Sequence, residues 1–154
     1  LLGGSAVWNR LFRREIFQKL RFPKNRTNDD EFVALRAYAL CQKVVYLPDV
    51  TYFYRIRPES ITTSAVSRRT LDQIKNAKEN MDFIKKKFPD LFPCAEGRYY
   101  SALIYVTYLA SKAKKTKEVV QIRKELHREL ALVKQRVFRN PYVSWKHKIV
   151  SIFL

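Results

Sequence analysis

Val119, Ile122, Leu126, Leu130, Val133 and Val137 recur at steps of three and four residues between Lys117 and Phe138, with Lys and Arg over much of the remaining surface. A strand repeats every second residue, so this spacing predicts a long helix whose single apolar seam must be buried against neighbours. Two earlier segments can supply them. Leu71, Ile74, Ala77 or Lys78, Met81 and Ile84 form an amphipathic stripe that stops near Pro89 and Pro93. Glu96 to Ala113 is apolar almost all round, with Tyr99, Tyr100, Leu103, Ile104, Val106, Tyr108 and Leu109. A helix with no continuous polar face belongs at the centre of a small bundle. Residues 67–154 are therefore expected to form a helical extension.

Asn140-Pro141 breaks the long seam, and Tyr142, Val143, Trp145, Ile149, Val150, Ile152, Phe153 and Leu154 then interleave with Lys146, His147 and Lys148. Such a basic, aromatic, amphipathic end suits an anionic membrane surface. It equally suits a last helix packed on the bundle, or a cut through a longer chain. No apolar run approaches the length of a bilayer span.

The first half reads differently. From Ala6 to Leu20 the apolar positions Val7, Trp8, Leu11, Phe12, Ile16, Phe17 and Leu20 fit helical spacing over most of the segment, although Val7 to Phe12 also fits a strand. Pro23 ends it and leads into a Lys24–Asn28 loop. A helix of about three turns is expected over roughly Asp29 to Cys41. Lys43-Val44-Val45-Tyr46-Leu47 and Val50-Thr51-Tyr52-Phe53-Tyr54-Arg55, rich in β-branched and aromatic residues and separated by Pro48-Asp49, read as a strand pair. The fold class expected is thus α+β and mainly α, with residues 1–66 distinct from 67–154.

The chain carries 31 Lys and Arg against 14 Asp and Glu, a formal net charge of +17. That balance calls for an anionic partner, whether nucleic acid, an anionic membrane or a phosphate-bearing small molecule. Cys41 and Cys94 lie far apart without a CxxC or a histidine pair, which gives neither a zinc site nor a disulfide framework; both are expected as buried thiols. His127 and His147 have no metal-ligand spacing and are expected to face solvent. Leu1 is not a start methionine and Leu1-Leu2-Gly3-Gly4-Ser5 does not resemble a signal peptide, so the chain reads as a piece of a longer protein.

In so basic a chain, the consecutive acids Asp29, Asp30 and Glu31 ask for a reason. Asn28 followed three residues later by Glu31 is a capping-box pattern, and carboxylates in a first turn complement the helix dipole. The functional reading is a general base held at a rigid helix start, facing a cleft whose cationic walls gather an anionic substrate. Downstream, Arg55, Arg57, Ser60, Thr62, Thr63 and Ser64 combine guanidinium forks with hydroxyls, which suits phosphate oxygens. An ordinary polar loop ending in a helix cap explains the same residues.

The order of four motifs resembles the C-terminal part of a bacterial family 2 glycosyltransferase of the GT-A class. They are Trp8-Asn9-Arg10-Leu11-Phe12-Arg13-Arg14-Glu15-Ile16-Phe17, Arg21-Phe22-Pro23, Asp29-Asp30-Glu31-Phe32, and Tyr52-Phe53-Tyr54-Arg55-Ile56-Arg57-Pro58-Glu59-Ser60-Ile61. The resemblance covers roughly residues 5–64. It implies the acceptor side of a GT-A α/β fold, with Asp30 as catalytic base of an inverting transfer and Asp29 standing where the family usually has Glu. It also implies contacts from Arg55, Arg57 and Ser60 to the diphosphate of a nucleotide-sugar donor, and a glycan or lipid-linked acceptor in surface polysaccharide synthesis at the inner face of the cytoplasmic membrane. In that family an Asp-x-Asp motif in the N-terminal half holds Mn²⁺ or Mg²⁺. This chain has no Asp-x-Asp, so the metal is expected through the missing half, with none bound by this chain alone, and the piece is expected to be inactive by itself. The alternative function is a basic helical module that binds nucleic acid or anionic membrane without catalysis. The positive charge is spread over most segments without a recognised nucleic-acid motif, so no nucleic-acid partner is expected.

Overall fold

The computed structural model describes residues 6–53, 55 and 66–154. The chain divides into two compact units, Leu1–Ser64 and Ala65–Leu154.

In the first unit, α1 is a single turn, Ile16–Lys19, and α2 spans Asp29–Ala39. The longer helix expected from Ala6 is not formed. Its apolar spacing is helical, but the turn that forms starts only after Glu15, whose side chain makes no capping hydrogen bond, so the first amides of α1 lack a side-chain acceptor from their N-cap. The aromatic side chains pack instead as an irregular cluster, Phe12 edge-on to Phe17 at 5.4 Å and Phe17 stacked on Phe22 at 6.0 Å. Phe12 and Phe17 pack on the buried Leu20, Val33 and Ala37. Past α2, Cys41 is half-buried rather than buried.

Among the described residues there is no strand. The pair expected at Lys43–Leu47 and Val50–Arg55 is absent from those of its residues that are described, and Tyr54 lies outside them. Val44, Val45, Tyr46 and Leu47 are all more than half exposed. A β-rich sequence becomes a strand only when another strand satisfies its backbone, and none of the described residues does so.

The second unit is all helix: a 3₁₀ turn at Arg68–Leu71, α3 (Asp72–Lys87), a second 3₁₀ turn at Pro89–Leu91, α4 (Phe92–Lys112), α5 (Lys117–Arg139) and α6 (Trp145–Phe153). The central position expected for Glu96 to Ala113 is found, since α4 packs against α3, α5 and α6. Tyr100, Ala102, Leu103, Ile104, Val106 and Ala110 are almost wholly buried. Its buried Thr107 satisfies its own hydroxyl by donating to the Leu103 carbonyl at 2.7 Å. The predicted seam of α5 faces this core through Ile122, Leu126, Leu130 and Val137.

Hydrogen bonds fix the joints. Thr116 caps α5 by accepting from the Val119 N–H at 3.2 Å, and Ser144 caps α6 by accepting from the His147 N–H at 3.3 Å. Arg123 reaches back to the end of α4, donating to the carbonyls of Ala110, Ser111 and Ala113 at 2.8, 3.2 and 2.9 Å. Asn140 does more than end a helix. Its Nδ2 donates to the Pro93 carbonyl at 2.9 Å and to Glu96 at 3.2 Å, and its Oδ1 accepts from the Tyr142 N–H at 2.8 Å. Arg136 pairs with the same Glu96. Gly97 makes room for that crossing, because a Cβ there would stand 2.8 Å from Tyr142 Cβ and 2.9 Å from Asn140 Oδ1.

Candidate functional site

The chain enters α2 through two asparagines in the left-handed region, Asn25 at φ 57° and Asn28 at φ 52°. Asn tolerates that conformation better than other residues with a Cβ, which explains its use at both corners. The Asn28 carbonyl accepts the Glu31 N–H at 3.2 Å, so the helix starts where the sequence indicated. The capping box does not form, since the Asn28 side chain makes no capping hydrogen bond. A left-handed N-cap does not have the β-region backbone in which the side chain normally reaches the N2 or N3 amide. Asp30 takes part of that role: its Oδ1 accepts the Glu31 N–H at 2.9 Å.

The three acids have different surroundings. Glu31 is buried, while Asp29 and Asp30 are half-buried. Successive residues on a helix point about 100° apart, so three in a row do not converge on one point. Burial pushes the Asp30 carboxyl up from its ordinary pKa, and the neighbouring Asp29 carboxylate adds to the rise. The Glu31 N–H and the Arg10 guanidinium oppose it without cancelling it. Glu31 thus acts on Asp30 through its amide, and the pressure from like charge comes from Asp29.

Aromatic rings hold cations in the same unit. Arg36 lies 3.5 Å and Arg26 5.3 Å from the Phe32 ring centre, and Arg36 Nη1 also donates to the Phe32 carbonyl at 2.9 Å. Arg10 lies 5.4 Å from the Tyr38 ring. Such contacts help to fix a guanidinium against a ring face. Neither Arg10 nor Phe32 was assigned a site role from sequence. Arg10 belongs to a motif that marks the resemblance, but no spacing rule links positions 10 and 30.

Of the expected diphosphate clamp, Arg55 is described and is exposed, and Arg57 and Ser60 lie outside the described residues. Among the described residues, no group of three or more His, Cys, Asp or Glu is arranged to hold a metal ion. Asp29, Asp30 and Glu31 do not form such a group. What the arrangement offers chemically is a half-buried carboxyl of raised basicity, oriented through one oxygen by a backbone amide.

No family model matches the chain, and no solved structure matches it. Two curated relatives share part of it. Glycosyltransferase GlyA of Streptococcus pneumoniae is 33% identical over 57 residues, which is 37% of this chain and 8% of that protein. Glycosyltransferase GlyG of the same organism is 32% identical over 81 residues, 53% of this chain and 25% of that protein. The chain thus spans a quarter or less of the curated relatives it matches, and its similarity to glycosyltransferases is partial.

Proposed function

We propose that this chain is the acceptor-side part of an inverting family 2 glycosyltransferase of the GT-A class, with Asp30 as the catalytic base. The observation that carries the reading is the Asp30 carboxyl itself: half-buried, raised in pKa, and fixed at a helix start by the Glu31 amide. The partial similarity to two named glycosyltransferases supports the reaction class.

In this reading Oδ1 stays on the Glu31 N–H and Oδ2 takes the proton of an acceptor hydroxyl. As that proton leaves, the hydroxyl oxygen attacks the anomeric carbon of a nucleotide sugar and the bond from that carbon to the diphosphate oxygen breaks, inverting the centre. The electron pair departs on the diphosphate, where Arg57 and Ser60, with Arg55 beside them in sequence, would meet the developing charge. The Glu31 amide and, more weakly, the Arg10 guanidinium pull the Asp30 pKa down against the rise that burial causes. The acceptor is a glycan or a lipid-linked saccharide, and a Mn²⁺ or Mg²⁺ on the donor would be held by residues outside this chain. Such a metal, when bound, would neutralise diphosphate charge.

Asp30→Asn in the full-length protein is expected to lower kcat by about 10²–10⁴-fold, the usual contribution of a positioned base, with nucleotide-sugar affinity within a few-fold of wild type. Donor titration and single-turnover transfer measure the two separately. Retained turnover would sink the assignment, and loss of donor affinity in step with turnover would make Asp30 a binding residue.

A further inference from the structure

α6 is apolar on two sides. Val150 and Leu154, with Val143 just ahead of the helix, pack on the bundle core, which accounts for how α6 is held. The other side has no such explanation. Trp145, Ile149, Ile152 and Phe153 stand at steps of four, three and one, so they share one face, and they are 67%, 46%, 53% and 84% exposed. Tyr142, three residues ahead of Trp145, is 59% exposed. Exposed apolar side chains scattered singly are ordinary, but four gathered along one short helix face, with a fifth just ahead of it, are not.

The charge around this face points one way. Residues 130–154 hold no Asp or Glu but carry Lys134, Arg136, Arg139, Lys146 and Lys148. Lys146 is exposed and its Nζ lies 5.8 Å from the Trp145 ring centre, so a cation stands beside the aromatic rim. The unit Ala65–Leu154 as a whole carries 20 Lys and Arg against 8 Asp and Glu.

We propose that the outer face of α6 docks on an anionic lipid surface, with Ile149, Ile152 and Phe153 entering the boundary between headgroups and acyl chains. Trp145 and Tyr142 then lie at headgroup depth, where amphipathic rings are favoured, and Lys146 meets lipid phosphate. A second copy of the chain suits the face less well. The unit that carries it holds 20 Lys and Arg against 8 Asp and Glu, and two such cationic surfaces repel. Nucleic acid suits it less well too, because aliphatic Ile149 and Ile152 at the centre give a phosphate or a base edge nothing to bond. No helix among the described residues is long and apolar enough to cross a membrane, so the contact is peripheral. The inference does not rest on glycosyl transfer.

Co-sedimentation of the full chain with vesicles of phosphatidylcholine, and of phosphatidylcholine mixed with phosphatidylglycerol, tests it. Binding is expected on the mixed vesicles and to be much weaker on the neutral ones. Two variants separate the contributions while touching only exposed side chains. The double variant Trp145→Ser, Phe153→Ser is expected to lose at least about tenfold in partitioning, and Lys146→Glu to lose about tenfold on the mixed vesicles alone. With Trp8→Phe removing the other tryptophan, Trp145 emission is expected to shift to the blue on the mixed vesicles. Equal binding by the double variant and wild type would overturn the proposal, as would equal binding to both vesicle types. Absence of binding together with Trp145-dependent self-association in sedimentation velocity would overturn it in favour of a second copy. Absence of vesicle binding with Trp145-dependent retention on DNA or RNA would overturn it in favour of nucleic acid.

Discussion

The Asp30 carboxylate is tied to the start of α2. One oxygen serves the start of α2 by accepting the Glu31 N–H, and the environment that holds it there also raises its pKa. The raised value has a consequence for stability that is independent of catalysis. A carboxyl whose folded pKa exceeds its unfolded pKa favours folding in its protonated form. Its contribution is therefore complete below the unfolded value and is lost as pH rises through the folded one. Asp30→Asn keeps an oxygen for the Glu31 amide but removes the ionisation. The variant is accordingly expected to melt slightly above wild type at neutral pH, with the gap closing as pH falls through the pKa of Asp30. Paired thermal melts across that range measure it, and a gap that widens toward acid would contradict the assigned shift. His147 shows the opposite case. It was expected to face solvent, yet its Nδ1 is buried without a hydrogen-bond partner, and burial, helped by Arg98, lowers its pKa. His127 is exposed as its sequence suggested.

At the scale of elements, α3, α4 and α5 begin and end within a few residues of where periodicity and proline put them, because both signals are local. What joins them is not local. Arg123 satisfies three carbonyls at the end of α4 from the second turn of α5, a place where the helix leaves acceptors unpaired and its dipole favours a cation. Arg123→Ala is expected to destabilise the bundle by about 1–3 kcal/mol, and Arg123→Lys to recover only part of it because an ammonium cannot fork across three acceptors. Urea unfolding of the two variants measures the difference; full recovery by lysine would reduce the role of Arg123 to its charge. Tyr99 is a second joint of this type, donating to Glu129 at 2.5 Å across the α4–α5 contact. Burial and that carboxylate hold its phenol protonated well above the usual range.

Among the described residues, the buried cluster of Leu1–Ser64 is formed by Leu20, Val33 and Ala37, whereas fourteen buried residues form that of Ala65–Leu154. Local opening follows buried apolar contact, so the amides of α2 are expected to open at least about 2 kcal/mol more easily than those of α4. Hydrogen exchange read by mass spectrometry measures this, and equal protection would mean that the two units unfold together. The proposed base sits on α2, the helix expected to open more easily. The sequence by itself determined the helices of the bundle, the central place of α4 and the start of α2, since each follows from a period of 3.6 residues or from a proline within a few positions. Only the tertiary structure decided the rest. It set Arg10 to act on Asp30 and drew Asn140 to Pro93 and Glu96. It also left the Ala6–Leu20 pattern with one helical turn and gave the inner face of α6, not the outer one, to the core. The reason is physical: spacing along a chain states that a side is apolar or that a group needs a partner, but which partner it meets depends on residues tens of positions away.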